Sequence, residues 1–582
     1  MKMKSAYRRK THKYGIRIPR DVKEAYEIDR ENGNTYWMDA INKEMKNVRV
    51  AFEFNDGDIV PIGCKPLEVH MIFDVKMMTL QRKARLVAGG HKTDPPKEAV
   101  YSSVVSRESV RLAFLAAALN DLDILAADIQ NAYLSAPTKE NLYCVVGPEF
   151  GSDAGRPAKI VRALYGLRSS GKMFREHLAR TLREDLKFTS CKADPDVWMR
   201  KATKPDGFEY WEYILCYVDD VLCISHKPKE LLDAISENFT LKAGSVKEPD
   251  LYLGADISKY YIEGSDQPTK ARWAMSSDSY VKTAVETVEN SLKQVNLEFL
   301  PKKRIETPIS AGYKPEQDAS VELDPERLNY FQGLIGVLRW ICELGRLDIV
   351  LPVALLSRYL SSPRLGHLEQ SLHIFAYLKK YNRSKMVFDE TMPDFSDTSN
   401  FAVNDWTEVY PDTKEVIPLD QPQARGNPVS MTCFEDADHA GDIVTRRSHT
   451  GLIVFVNRAP IYWYSKKQNT VESSTFGSEM VAMKQAVEII EGLRYKVRMM
   501  GFPLEGPCNV LCDNNAVVQN TSRPESMLKK KHLSVAYHRC REAQAAGTIC
   551  IAKEGTNTNI ADMFTKLLAG TKLRELCRMC LW

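Results

Sequence analysis

The sequence has no long hydrophobic run and no strong excess of one charge. Its 80 lysines and arginines are nearly balanced by 76 aspartates and glutamates, so the formal net charge is only +4 and the chain as a whole is not a polycation. An apolar stretch such as 112–119 is too short to cross a bilayer, and no apolar segment follows the basic N-terminus as it would in a secretory signal. We therefore expect no membrane segment, and a nucleic-acid surface has to arise from local clusters of charge.

One such cluster lies in residues 1–20, which contain basic side chains and no acidic one. Two interpretations are open, a solvated tail and a nucleic-acid-binding arm. The cluster consists of Lys2, Lys4, Arg8, Arg9, Lys10, Lys13, Arg17 and Arg20.

Regular cysteine spacing, repeats and low-complexity tracts are also lacking. The 13 cysteines are scattered, which is typical of unpaired thiols in a reducing compartment. Cys577 and Cys580, with Cys540 and Cys550 upstream, are spaced too irregularly to favour a zinc site over chance. With 582 residues, 44% hydrophobic and 27% charged, the chain is long enough for roughly three to five globular domains.

The stretch Tyr217-Val218-Asp219-Asp220 separates two apolar runs rich in β-favouring residues. The pattern predicts a strand-turn-strand hairpin with both aspartates at its tip. Adjacent carboxylates repel each other unless a cation neutralises them, and carboxylate oxygens are ligands that Mg²⁺ prefers. Ordinary turn chemistry is the alternative, since aspartates are frequent in turns. Asp128 ends another predicted apolar strand, where an unpartnered carboxylate is costly, and is therefore the expected third ligand.

Basic residues and glycines mark a candidate phosphate-binding surface. Residues 82–90 read as a strand that ends in glycines, with Lys83 and Arg85 on one face. That face fits a grip on a triphosphate and equally an ordinary exposed sheet. Gly166 and Gly171 precede a predicted helix, where they either allow a nucleotide to approach the backbone closely or serve as plain turn residues.

Five motifs occur in an informative order. They are Lys83-Ala84-Arg85-Leu86-Val87-Ala88, Tyr101-Ser102-Ser103-Val104-Val105-Ser106-Arg107-Glu108-Ser109-Val110-Arg111, Asp128-Ile129-Gln130-Asn131-Ala132-Tyr133-Leu134, Ala163-Leu164-Tyr165-Gly166-Leu167 and Tyr217-Val218-Asp219-Asp220. As a set they resemble the reverse transcriptase of copia-type long-terminal-repeat retrotransposons. The resemblance extends from about residue 34 to the C-terminus.

The resemblance implies roles for individual residues. Asp128, Asp219 and Asp220 correspond to the polymerase triad, and Tyr133 to an aromatic gate against the ribose 2′-hydroxyl. Residues implied to contact nucleotide or primer are Lys83, Arg85, Tyr165 and Gly166, together with Leu253 and Gly254 in the primer-grip-like Leu251-Tyr252-Leu253-Gly254. Which of Lys83 and Arg85 meets the triphosphate stays open. Gly89 departs from the family pattern, since many relatives carry a basic residue there.

A second set of spaced acids follows in the C-terminal quarter of the chain. The pattern predicts Asp436 after a short strand, Glu479 at the opening of a long helix, Asp513 at a strand end and Asp562 at a helix start. Taken singly, Glu479 fits a helix-surface acid, Asp562 fits a helix-dipole contact, and Asp438 rivals Asp436. As an ordered set the four match the metal ligands of a copia-type ribonuclease H domain.

We therefore expect an α+β multidomain chain. It consists of a right-hand polymerase with fingers, palm and thumb, a connection region and an α/β ribonuclease H-like domain. The expected divisions are a basic extension (1–35), fingers and palm (36–260), thumb and helical connection (261–385), an acidic linker (386–428) and the ribonuclease H-like domain (429–582).

The function implied is an RNA-directed DNA polymerase with ribonuclease H activity, using two Mg²⁺ ions per site with Mn²⁺ as an alternative. Its partners would be RNA template, DNA primer, RNA-DNA hybrid and dNTPs, with capsid and integrase as further element proteins, in a cytoplasmic particle or the nucleus. Two alternatives are open, a catalytically inactive relic that binds RNA or hybrid, and a nuclease with an idle polymerase half. The lack of protease, integrase and zinc-knuckle motifs suggests part of a longer polyprotein.

Overall fold

The computed structural model describes residues 11–13, 15–55, 59–76, 79–92, 102–263, 267–292, 305–395, 401 and 404–582. Most of the N-terminal basic cluster, Tyr101 and the end of the predicted thumb lie outside these ranges. The cluster's three described members form ion pairs: Lys13 with Asp74, Arg17 with Glu24 and Glu31, and Arg20 with Asp21.

The N-terminal region is a layer of helices on short sheets. Helix α2 buries Trp37, Ile41 and Met45 at the predicted helical spacing, against the hairpin β5–β6. Alternation along β6 buries Ala84 and Leu86 and turns Lys83 and Arg85 to the other face, as predicted. The elements are β1 (His12–Lys13), β2 (Ile16–Arg17), α1 (Val22–Asn32), α2 (Tyr36–Val48), β3 (Phe52–Phe54), β4 (Lys65–Pro66), β5 (Val69–Val75) and β6 (Arg82–Ala88).

The next region contains a five-stranded antiparallel sheet that carries the first acid cluster. Ser106 is the N-cap of the buried helix α3, and its hydroxyl accepts a hydrogen bond from the Ser109 amide. Its elements are α3 (Arg107–Asn120), β7 (Asp123–Asp128), α4 (Ala132–Ser135), β8 (Pro137–Val145), β9 (Pro157–Arg162), α5 (Ser170–Arg180), β10 (Thr189–Ser190), β11 (Val197–Thr203), β12 (Glu209–Tyr217), β13 (Asp220–Ser225) and α6 (Pro228–Ser236). The sheet order is β10-β11-β12-β13-β7, and β3-β9-β8-β4 form a second sheet.

A small sheet and a helical group follow. One face of α8 is apolar and buried, at Phe331, Leu334, Leu338 and Ile341. Strand β17 crosses the predicted boundary at 385/386 and pairs with β16, so the segment expected as a linker begins inside a sheet. The elements are β14 (Leu251–Tyr252), β15 (Ala255–Tyr261), β16 (Ala271–Ser276), α7 (Asp278–Leu292), α8 (Pro325–Glu343), α9 (Val350–Ser357), α10 (Leu365–Lys380) and β17 (Lys385–Val387).

The C-terminal region is a mixed sheet with helices. Its strand order is β20-β19-β18-β21-β22, in which β18, β19 and β20 are antiparallel and β21 and β22 run parallel to β18. Its elements are β18 (Met431–Asp438), β19 (His449–Val456), β20 (Ala459–Lys467), α11 (Thr475–Met499), β21 (Cys508–Cys512), α12 (Asn515–Ser522), α13 (Ser534–Ala545), β22 (Ile549–Lys553) and α14 (Gly570–Cys577). The expected α+β multidomain class is thereby confirmed.

One local prediction about this region is wrong. Asp436 does not follow a strand but lies inside β18, which continues to Asp438 because it pairs with β19 over its whole length. Asp562 does lie at a helix start, in the first turn of a short 3₁₀ helix, Ile560–Phe564, that begins after the capping residue Asn559. Glu479 lies in the first turns of α11, as expected.

Helix α3 connects the region that carries the first acid cluster with the C-terminal mixed sheet. The buried Arg111 guanidinium donates to the Ile461 carbonyl at 2.8 Å and the Glu343 carbonyl at 2.8 Å, and lies 3.9 Å from the centre of the Trp463 ring. Burial lowers the pKa of Arg111 to about 10. In the described ranges, no helix has the length and apolar character that crossing a bilayer requires.

Candidate active sites

The first acid cluster lies where strands β7 and β13 end side by side. Asp220 is the partner of Asp128 across these antiparallel strands, and the Ile129 amide donates to the Asp219 carbonyl at 2.8 Å. Only Asp219 is in the hairpin turn; Asp220 is the first residue of β13, so the prediction that both aspartates occupy the tip is half right. Val218, a β-branched residue, has a φ of 57°, and such strain clusters at functional sites.

The electrostatics of this cluster favour a bound cation. Burial raises the pKa of Asp219 and, together with the charges of Asp219 and Asp128, raises the pKa of Asp220 to about 6. The ammonium of Lys242 lies 2.9 Å from Asp128 Oδ2. Among the residues that the structure describes, the three carboxylates do not converge within 4.8 Å as those of the second cluster do.

Residues expected to contact the nucleotide gather beside these acids. The Arg85 guanidinium lies 4.2 Å from the centre of the Tyr165 ring, and the rings of Tyr133 and Tyr165 are 4.8 Å apart. The pKa of Lys83 is lowered by burial and by Arg85, while the charge of Asp219 opposes this shift. Four of the predicted contact residues therefore surround one face of Asp219.

Gly166 has a stricter role than either sequence interpretation gave it. Its φ is 93°, and a Cβ placed there would lie 2.2 Å from the Ala88 carbonyl oxygen. The preceding carbonyl, of Tyr165, accepts a hydrogen bond from the Ala88 amide at 2.7 Å. Only glycine permits this contact between the β6 strand end and the loop before α5.

The primer-grip-like segment is a tight hairpin, as its resemblance implied. Leu253 and Gly254 form the turn between β14 and β15, with φ values of 48° and 85°. A Cβ on Gly254 would lie 3.1 Å from the Trp340 indole nitrogen. Leu253 and Trp340 share a cavity with Tyr217, so this turn faces the carboxylate hairpin.

The second acid cluster is tighter and more deeply buried. Asp436, Glu479 and Asp513 each offer an oxygen within 4.8 Å of the others. Glu479 also accepts a hydrogen bond from the Ala437 amide at 3.0 Å, which holds α11 against β18. Asp436 is 0% exposed, so three carboxylates converge where water is scarce. Such a group fits a hard divalent cation.

Lys566 connects Asp562, the fourth predicted acid, to this group. Lys566 was not identified from the sequence as a residue of the site. Its ammonium lies 3.1 Å from Asp436 Oδ1 and 2.6 Å from Asp562 Oδ1. The hydroxyl of Thr565 donates a short hydrogen bond to the other oxygen of Asp436. The signal was the spacing Asp562-x-x-x-Lys566, which places both side chains on one side of a helical turn.

The pKa values in this cluster are shifted strongly upward. Burial and neighbouring carboxylates raise the pKa of Glu479 to about 11. Burial raises the pKa of Asp436 to about 6, although Lys566 opposes the rise. Like charges are held together here at a cost that a cation would remove. Of the two rivals for the first ligand, Asp438 accepts a hydrogen bond from the His449 amide and lies outside the convergent group.

Three adjoining cavities approach the two clusters through neighbouring residues, Tyr217 at one end and Thr565 and Lys566 at the other, and none of the seven carboxylates lines them. The middle one, of about 760 Å³, is lined by six basic and two acidic residues and by three consecutive aromatic residues of β20. Neighbouring cavities share lining residues, and we call this row of three the groove. In order along it lie Tyr217 and Leu253, then Arg107 and Arg111, then Arg358 and His449, then Asp438 and Lys566.

The chain is similar in sequence to a reverse transcriptase family and to transposon Pol polyproteins. Residues 57–267 match the family model described as reverse transcriptase (RNA-dependent DNA polymerase). The retrovirus-related Pol polyprotein from transposon TNT 1-94 of Nicotiana tabacum is 24% identical over 579 residues, which cover 97% of this chain and 39% of that protein. The corresponding protein from transposon RE1 of Arabidopsis thaliana is 26% identical over 502 residues, 85% of this chain and 30% of that one. The chain thus spans well under half the length of these relatives.

Two solved structures align with this chain at low identity and with TM-scores below 0.5. A foamy viral protease-reverse transcriptase in complex with double-stranded DNA has a TM-score of 0.44 and 12% identity, covering 89% of this chain and 69% of that chain. LC11-RNase H1 in complex with an RNA/DNA hybrid has a TM-score of 0.20 and 12% identity, covering 23% of this chain and 93% of that chain.

Proposed function

We propose, from the kinship of this chain with the retrovirus-related Pol polyproteins of copia-type transposons, that it is an RNA-directed DNA polymerase with ribonuclease H activity. The observation that carries the proposal is that the fold gathers two separate sets of spaced carboxylates: Asp220 pairs with Asp128 across β13 and β7, and Asp436, Glu479 and Asp513 converge within 4.8 Å. Residues 36–260 would form fingers and palm, 261–385 thumb and connection, and 429–582 the ribonuclease H-like domain.

In the polymerase half, Asp128, Asp219 and Asp220 would hold divalent cations, with Mg²⁺ the best match to an all-carboxylate donor set. When bound, such ions activate the attacking hydroxyl and neutralise charge on the phosphate. Arg85 and Lys83 would bind the triphosphate of a dNTP from the strand β6 side. The rings of Tyr133 and Tyr165, which are tilted at 56° to each other, would limit the space beside the sugar.

In the second half, Asp436, Glu479 and Asp513 would hold the cations, and Asp562 would complete the set once Lys566 releases it. The Asp436 carboxylate is held in place by Thr565, so its orientation does not depend on a bound ion. The reaction expected is hydrolysis of the RNA strand of an RNA-DNA hybrid.

The groove between the clusters supports a nucleic-acid duplex as the shared ligand. Its basic side chains suit phosphates, and its aromatic residues suit sugars and bases. Recognition through backbone contacts predicts low sequence specificity and binding that weakens steeply as salt rises. By the same kinship we propose that capsid and integrase are partners in a cytoplasmic particle.

The polymerase half is tested by extension of a DNA primer on an RNA template with dNTPs and Mg²⁺. Asp219→Asn should abolish extension, whereas Asp206→Asn, at another exposed hairpin turn, should leave it unchanged. If the native chain binds hybrid but extends no primer, the chain is instead a binding protein of retroelement origin.

The ribonuclease half is tested on a hybrid labelled in its RNA strand. Asp436→Asn should abolish cleavage, and Asp438→Asn should retain most of it, because Asp438 lies outside the convergent group. Loss of cleavage in Asp438→Asn alone would show that the first ligand has been misassigned. Cleavage without primer extension would support a nuclease with an idle polymerase half.

A further inference from the structure

A second group of ligand atoms lies beneath the C-terminal acid cluster. Glu435, Glu479 and Cys512 each offer an atom within 4.8 Å of the others, and all three residues are buried. None of the functional roles described above uses Glu435 or Cys512. Glu479 belongs to both groups, so the two groups meet at one carboxylate.

Glu435 is an unusual residue to find in a protein core. It is 0% exposed, and neither of its carboxylate oxygens has a hydrogen-bond partner among the described residues. The Cys512 thiol is close enough to lower the pKa of Glu435, but its position falls outside hydrogen-bond geometry. A buried carboxyl group without a partner is costly, and native proteins seldom retain one without a reason.

Strand register explains why these donors meet. Glu435 and Cys512 are partners in the parallel pair β18–β21, so their side chains lie on the same face of the sheet. Asp436, the next residue, points to the opposite face, toward Thr565 and Lys566. Helix α11 brings Glu479 to the sheet edge between the two faces.

The donor set differs in chemistry from the neighbouring all-carboxylate group. A thiolate with two carboxylates suits a borderline or soft cation such as Zn²⁺ or Cd²⁺ better than Mg²⁺. Three donors within 4.8 Å of one another lie no more than ~2.8 Å from a common point, so shifts of at most ~0.5–0.8 Å would bring each to a zinc bond length. Ordinary side-chain rotation covers such shifts.

We propose that Glu435, Glu479 and Cys512 form a binding site for a thiophilic divalent cation of the Zn²⁺ class. Binding releases to solvent the proton of the Cys512 thiol and the protons held by the buried Glu435 and Glu479 carboxyl groups, and it turns the Glu479 carboxylate toward this site. Since Glu479 then no longer faces Asp436 and Asp513, the bound cation excludes ions from the neighbouring group. The binding claim stands without the proposed function; only the predicted inhibition of hybrid cleavage rests on it.

Binding is tested with Cd²⁺ on the full chain, by the ultraviolet absorption of the cadmium–thiolate bond, and with Zn²⁺ by calorimetry. Cys508 offers a matched control, because it lies on the same strand, is 0% exposed and is outside the group. The native chain and Cys508→Ser should bind one equivalent that Cys512→Ser does not bind. Equal binding by Cys512→Ser and the native chain would overturn the proposal.

A second variant keeps the test decisive if Cys512→Ser fails to fold. Glu435→Gln retains the shape and the thiol, and should weaken Zn²⁺ binding at least about tenfold while melting normally without metal. Unchanged Zn²⁺ affinity in Glu435→Gln would also overturn the proposal.

The inhibitory arm measures hybrid cleavage in Mg²⁺ with added Zn²⁺. Native chain and Cys508→Ser should be inhibited, and Cys512→Ser should be resistant; equal inhibition of all three would refute the competition through Glu479. If the native chain cleaves no hybrid, the proposed function fails while the Cd²⁺ and Zn²⁺ binding results still decide the site.

Discussion

Lys566 is the cation that the fold itself supplies to the C-terminal acid cluster, and its removal makes a quantitative test. Its ammonium bridges one oxygen each of Asp436 and Asp562, with no other basic group hydrogen-bonded to either in the described ranges. Lys566→Gln keeps a polar side chain but removes the charge. Two carboxylates then face each other without compensation.

The cost can be bounded from the exposure of the three side chains. Removing one partner of a fully buried ion pair costs about 3–5 kcal/mol, and an exposed pair contributes about 1 kcal/mol or less. Lys566 is 38% exposed, whereas Asp436 and Asp562 are 0% and 8% exposed. The pair lies between the two limits, so we expect a loss of ~2 kcal/mol. For a domain of 150–250 residues this lowers the melting temperature by ~4–8 °C.

Divalent cations should restore the lost stability, because a cation bound at this cluster neutralises the carboxylate charge that Lys566 neutralises in the native chain. A cation present at 100 times its Kd adds about 2.7 kcal/mol to the stability of the folded state. Lys566→Gln should therefore bind Mn²⁺ more tightly than the native chain and gain more stability from Mg²⁺. The assays are thermal unfolding with and without Mg²⁺, and Mn²⁺ titration calorimetry.

The control is Lys484→Gln, which breaks an exposed ion pair with Glu488 one turn along α11. It should change the melting temperature by less than ~2 °C, with or without Mg²⁺. If Lys566→Gln melts like the native chain without metal, the bridge contributes nothing. If it loses stability that Mg²⁺ does not restore, Lys566 serves packing rather than charge compensation.

Three further outcomes follow from the geometry. Gly166→Ala should lose ~3 kcal/mol of stability in urea unfolding, because its Cβ would collide with the Ala88 carbonyl. The control Gly207→Ala has a similar φ of 91° but lies in open space, so it should lose only ~1 kcal/mol in the same assay. Arg111→Met should lose ~2–3 kcal/mol in the same assay, because it leaves two buried carbonyls without donors. The fold raises the pKa of Asp220 to about 6 from an ordinary 3.8, so the metal-free chain loses stability from this group as the pH rises between these two values. The Mn²⁺ affinity of the first cluster should rise over the same pH range, because the carboxylate becomes charged. A flat Mn²⁺ affinity between pH 4 and 7 would contradict this assignment.

Much of the first site follows from sequence pattern. Two β-favouring runs around Asp219 and Asp220 specify a hairpin, and the apolar run before Asp128 specifies a neighbouring strand. What the pattern leaves out is long-range contact. The proximity of Gly166 to Ala88 depends on how a loop docks against a strand 78 residues earlier in the chain, and local propensity carries no information about it.

The turn around Asp562 shows a different limit. A carboxylate followed by apolar residues predicts a helix start, but Asn559 caps only a single 3₁₀ turn. Directly after this turn, Thr565 and Lys566 hydrogen-bond to Asp436 on β18. These contacts join segments about 130 residues apart in sequence, and the local pattern carries no information about them.

Glu435 and Asp436 show the same limit most sharply. They are adjacent carboxylates in one strand, so period-two alternation sends them to opposite faces, yet the sequence does not say which face carries the catalytic-type cluster. The answer depends on the partners: β21 places a thiol beside Glu435, while the turn after Asn559 places a lysine and a hydroxyl beside Asp436. One strand therefore offers two cation environments of different hardness, and Glu479, which reaches both, is the residue through which occupancy of one would control the other.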